Sequence, residues 1–172
     1  MLSGLPQTVD LYRLAVAGET HAGRVKQSVF RRLVSTAHQQ AERWVDVSLQ
    51  FGVEQGVHYL RGSLAGVFTV VCQRCLEPME LSFDTRFLFG FVRNKEEESR
   101  LPEGFEPLWV EQTEVDLLSV IEDELLLALP MVAMHPPAEC PAWVDSTVMD
   151  EQAESDRTTP FSVLAALTRD KH

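Results

Sequence analysis

Cysteine is scarce in this chain and cannot pair off completely: the 172 residues contain three, Cys72, Cys75 and Cys140. A disulfide-stapled scaffold is thereby excluded, and a chain of this length can bury a core in one domain without covalent help. Long apolar runs are missing as well. The strongest, 125–134, is interrupted by Pro130 and is too short to cross a bilayer, so no membrane role is read. The first ten residues lack the basic start and apolar stretch of a secretory signal. Reduced thiols then point to the cytoplasm. Neither a nucleophile paired with a base nor a set of carboxylates for a hard metal is visible, and the expectation is a protein that is not an enzyme.

Positive charge is the other scarcity, and it is local. Residues 1–100 hold 12 Lys and Arg against 11 Asp and Glu, whereas 101–172 hold 3 against 15, so nearly all of the net charge of −11 is C-terminal. Nucleic acid is bound mainly through Lys and Arg, so the C-terminal part should repel it and attract basic partners. Arg24, Lys26, Arg31, Arg32 and Arg43 lie close in sequence, and Arg31 and Arg32 are the candidates for RNA contact. A solvated face of mixed charge is the commoner meaning of such a cluster.

What is present is alternation. Residues 44–53 alternate apolar and polar side chains, as a strand with one buried face does. Two more strand-like runs, 57–64 and 67–72, precede a second alternating stretch, 79–92. Residues 9–17 read as a strand entering a turn at Gly18 and Gly23, 27–37 as a short helix, and 93–100 as an exposed loop. Residues 107–110 would add a further strand. Consecutive short strands joined by short turns imply an α+β fold with an antiparallel sheet rather than parallel crossover units.

The main helix is expected over about 115–129, capped by Thr113 with Asp116 three positions on, and stopped by Pro130. Leu117, Leu118, Ile121, Leu125, Ala128 and Leu129 share its apolar face. The run Glu122-Asp123-Glu124 invites a catalytic or metal reading, but adjacent helix positions point about 100° apart and cannot converge on one atom. A solvated face is expected there. The domain ends near Cys140, followed by an acidic linker, 141–158, and a helical motif, 159–172. In that motif Thr159 would cap, Pro160 would open the first turn, and Phe161, Leu164 and Leu167 would dock on the domain or on a partner protein.

Cys72-Gln73-Arg74-Cys75 falls between two strand-like runs, at the tip of an expected hairpin, with His135 and Cys140 beyond the main helix. Three readings compete. A redox Cys-x-x-Cys normally opens a helix, where the dipole lowers the thiol pKa, and Pro78 and the alternation after Cys75 argue against that. In the second reading the two thiols at the turn are unliganded, with Cys140 apart from them. Alternatively the four side chains form a Cys₃His set for a structural zinc, the two cysteines making a knuckle.

The motif 71–79 around Cys72 and Cys75, Val115-Asp116-Leu117-Leu118 with 121–124, Leu127 to Pro130, His135 with Cys140, and Pro160-Phe161 with Leu164, Ala165 and Leu167 together resemble the bacterial YceD family, the large ribosomal RNA subunit accumulation proteins. The resemblance covers most of the chain, with the motifs in the same order. It implies a non-enzymatic cytoplasmic factor for accumulation or processing of 23S ribosomal RNA and for ribosome biogenesis. Its partners would be ribosomal or RNA-processing proteins, with direct contact to 23S RNA as the alternative. Leu76 and Glu77, where relatives often have Gly or Lys, and Thr159 in place of an Asn, depart from the family pattern. The resemblance supplies no catalytic residues.

Overall fold

Alternating side chains along three long segments build the central sheet of the computed structural model, which describes residues 8–36, 43–136 and 139–140. A two-residue strand, β1 (Thr8–Val9), leads into α1 (Leu11–Ala17), then β2 (Thr20–Lys26) and a single 3-10 turn at Gln27–Val29. The next elements are α2 (Arg31–Thr36), β3 (Trp44–Glu54), β4 (Val57–Val71) and β5 (Pro78–Val92). The described chain closes with α3 (Lys95–Ser99), β6 (Glu106–Trp109), β7 (Val115–Asp116) and α4 (Leu117–Ala128). Five strands pair in the order β2-β3-β4-β5-β6, and β1 pairs separately with β7. The fold is α+β, as expected. All pairs are antiparallel except the last of the large sheet, where β6 runs parallel to β5.

The period of two decides which face is covered. Val45, Val47, Leu49 and Phe51 of β3 are buried on the same face as Leu60, Leu64 and Phe68 of β4 and Phe83, Phe87 and Phe89 of β5. Each fully buried side chain of this size contributes roughly 1.5–3 kcal/mol through removal from water. Gly62 sits opposite Phe87, and a Cβ there would stand 2.0 Å from the Phe87 ring, so the missing side chain makes room for the aromatic one. The helices complete the core with Leu11, Leu14 and Ala15 from α1, Leu33 from α2, and Leu117, Ile121 and Leu125 from α4.

Several local expectations change. Residues 11–17 are a helix rather than a strand: the Asp10 carboxylate accepts the Arg13 N–H at 3.0 Å and caps it. Gly23 lies within β2 opposite Val47 instead of in a turn. The two runs at 57–72 are one 15-residue strand. Within 93–100, Asn94 caps α3 by accepting the Glu97 N–H. The main helix is capped by Asp116, whose carboxylate accepts from Leu118 N at 3.0 Å and Ser119 N at 3.4 Å, and not by Thr113. The linker expected at 141–158 and the motif at 159–172, with Phe161, Leu164 and Leu167, lie outside the described residues.

Candidate metal centre

The β4–β5 hairpin turns at Cys72-Gln73-Arg74-Cys75 because the backbone closes on itself there. Cys72 N donates to the Glu77 carbonyl at 2.9 Å, and Leu76 N donates to the Cys72 carbonyl at 2.9 Å. Leu76 takes a φ of 62°, a left-handed conformation that a branched side chain adopts only under constraint. The turn aims both sulfurs to one side.

The segment leaving α4 is brought against this turn by main-chain bonds. Pro130 follows the last helical turn, and Gln73 N then donates to the Ala133 carbonyl at 2.8 Å. The Arg74 guanidinium donates to the His135 carbonyl at 2.7 Å. A further turn, in which Glu139 N and Cys140 N both donate to the Pro136 carbonyl, folds Cys140 back. The outcome is convergence: one donor atom each from Cys72, Cys75, His135 and Cys140 lies within 4.8 Å of all the others. Cys75 Sγ is 3.4 Å from His135 Nδ1. Four donors so placed can hold a metal ion.

The electrostatics favour a cation at their centre. Cys72 is fully buried, which disfavours its thiolate, but N–H groups of Cys75, His135 and Arg74 point at the sulfur and more than offset the burial, bringing its pKa down to about 5. The Glu77 amide favours the Cys75 thiolate, yet burial and the adjoining Cys140 and Cys72 sulfurs outweigh it and raise that pKa. Three sulfurs this close cannot all carry charge unless a positive ion sits among them.

The remaining sequence candidates are placed separately. The Arg32 guanidinium spans to α4, donating to Glu122 at 2.9 Å and Asp123 at 2.6 Å, while the exposed Arg31 lies beside it at the start of α2. Glu122 is buried rather than part of a solvated face. Its carboxylate also accepts Arg32 N at 2.7 Å and Leu33 N at 3.3 Å, closing the N-terminal end of α2 from another helix. Helical periodicity could not reveal that role, because the groups Glu122 serves lie about ninety positions away.

Sheet, helix and centre define a class: a small α+β protein in which a cysteine–histidine cluster clasps the tip of a β-hairpin to the segment after the main helix. The chain belongs to the family described as Large ribosomal RNA subunit accumulation protein YceD, whose model matches residues 60–168. It is also 32% identical over 167 residues to a Haemophilus influenzae protein named Large ribosomal RNA subunit accumulation protein YceD, with 95% of each chain covered. No solved structure matches it.

Proposed function

We propose that this protein is a cytoplasmic, non-enzymatic factor for accumulation of the large ribosomal RNA that acts by binding during assembly of the large subunit. A structural zinc holds its binding surface in shape. The observation that carries this reading is the convergence of Cys72, Cys75, His135 and Cys140. Three sulfurs and an imidazole are the donor set of closed, four-coordinate zinc sites. An ion with Zn–S near 2.3 Å and Zn–N near 2.0–2.1 Å sets its ligand atoms roughly 3.5–3.8 Å apart, so modest contraction of the observed cluster would suffice. With all four positions filled by protein, such an ion has no open site for substrate, and its task is architecture.

The surface beside the centre suits a protein partner. Leu127, Met131, Val132 and Met134 are exposed where the chain leaves α4, and Leu76 is 72% exposed on the knuckle. The Gln73–Ala133 hydrogen bond joins the two segments. Exposed methionines adapt to the shape of what they meet, and a cluster of large apolar side chains in water marks an interaction site. Residues 1–140 would form the domain, with 141–158 as an acidic linker and 159–172 as a second docking element for a basic ribosomal or processing protein.

Sedimentation of lysates from growing cells carrying the tagged full chain tests the reading. Co-migration with large-subunit precursors at low salt, weakening at moderate salt, is expected, together with a fall in 23S relative to 16S RNA when the gene is deleted. Absence of co-migration at both salts would overturn it.

A further inference from the structure

At the far end of β4 from the knuckle, roughly 45 Å away at about 3.3 Å per residue, a cavity of about 430 Å³ opens between the β3–β4 turn, the end of β5, α1 and α3. Its wall carries two guanidinium groups, Arg93 and Arg100, with Tyr12, His58 and Gln55. Two guanidinium groups against one carboxylate give this wall a net positive charge. Among the described residues Glu97 is the sole acidic one of the lining, and its carboxylate is already engaged, accepting Arg93 N at 2.8 Å and the Asn94 side-chain amide at 3.1 Å.

The cations differ in how they are held. The Arg93 guanidinium lies 4.1 Å over the Tyr12 ring, which fixes its plane, and the Tyr12 ring is met edge-on by His58 at 5.0 Å and Phe91 at 5.6 Å. Among the described residues the Arg100 guanidinium makes no ion pair or hydrogen bond, which leaves its planar fork available. Burial raises the Tyr12 phenol above its ordinary pKa despite the neighbouring Arg93, so its hydroxyl remains a donor. Gln55 at a φ of 51° and Gly56 at 81° form the two-residue hairpin turn between β3 and β4, which needs positive φ at both positions, and this turn puts Gln55 in the cavity lining.

We propose that this cavity binds a nucleotide, with Arg93 and Arg100 meeting its phosphate and Tyr12, Gln55 and His58 meeting its polar edges and flat face. Arginine forks match phosphate oxygens in pairs. A bare phosphate or a carboxylate would leave most of the cavity unfilled, whereas its volume falls in the range of sites for ligands of nucleotide size. The nucleotide is either free or part of a single RNA strand; both present the same phosphate and base. The site goes beyond the assembly reading and fails separately from it, because binding by the purified protein and RNA levels in cells are independent measurements.

The test is calorimetric titration of the full chain with three probes, inorganic phosphate, adenosine monophosphate and a single-stranded RNA tetranucleotide. It is run on the wild type, Arg100→Glu and Arg93→Gln, with thermal melts to confirm folding. Arg100 is exposed, so its substitution should leave the fold intact even if loss of Arg93 from the Tyr12 ring does not. Binding of the monophosphate or the RNA that weakens at least about tenfold in Arg100→Glu supports the site. RNA binding much tighter than the monophosphate assigns it to a strand, and equal binding assigns it to a free nucleotide. No binding of either, equal affinity for inorganic phosphate alone, or affinity unchanged in Arg100→Glu overturns the proposal.

Discussion

The main-chain N–H of His135 donates to the Cys72 sulfur at 3.4 Å, joining positions 63 residues apart. Together with the Gln73–Ala133 and Arg74–His135 bonds it holds the segment after α4 against the β4–β5 hairpin, where an imidazole and a third thiol meet two others. A metal ion would reinforce an approach that the backbone already makes, since N–H donors aimed at the sulfur both orient a thiolate and soften its charge.

Protein purified without chelator should carry about one equivalent of zinc by elemental analysis, and Cys72→Ser or Cys140→Ser should leave less than about a tenth. Hydrogen exchange at residues 133–135 should rise in both variants while the sheet stays protected, because its core is packed by β3, β4, β5 and the helices and not by the cluster. Wild-type protein with less than about a tenth of an equivalent would retire the metal.

Glu122→Ala should destabilise the protein by about 1–3 kcal/mol in urea melts at pH 7, since it strands the part-buried Arg32 and the buried Leu33 N–H groups at the start of α2. The pH dependence has a definite sign. Burial opposes the Glu122 carboxylate, but the Arg32 side chain and the Leu33 and Arg32 amides outweigh it and lower the folded pKa. Its contribution is therefore complete above the unfolded value near about 4.3 and is lost as pH falls through the folded pKa. The wild-type advantage over Glu122→Ala should shrink below about pH 4; an advantage constant down to pH 2 would sink this account.

Gly62→Ala should lower stability by about 1–3 kcal/mol, because the added methyl would press on the Phe87 ring 2.0 Å away. Calorimetric melts of Gly62→Ala alone and with Phe87→Leu would show the origin: the double variant should recover part of the loss if crowding is the cause.

Leu127→Lys and Met131→Asp should change stability by no more than about 0.5 kcal/mol, as both side chains are exposed. Each should nonetheless reduce recovery of large-subunit precursors with the tagged protein. Undiminished recovery with both changes combined would show that this apolar surface is not the one used.

Much of the sheet was legible because strand periodicity is local. Residues 44–53 and 79–92 declare their buried faces in every second side chain, and a Cys-x-x-Cys between two such runs falls at a hairpin tip. Residues 11–17 are hard to assign locally, because Tyr12 and Val16 favour strands while the Leu, Ala and Arg residues around them favour helix. The Asp10 cap and burial of Leu11 and Leu14 decided for a helix. Gly23 carries a turn residue's signature, but β3 extends far enough to pair with it.

What the sequence by itself determined was the class of fold, the family, the position of the main helix and the four residues with metal-ligating chemistry, which are written in local periodicity, in residue type and in the order of motifs along the chain. Only the tertiary structure decided that these four meet, that Glu122 is buried under α2, and that Tyr12, Arg93 and Arg100 line one cavity. The physical reason is that each of these depends on contacts between distant segments. Such contacts arise from the shared burial of the sheet's apolar face, which no local window of side chains records.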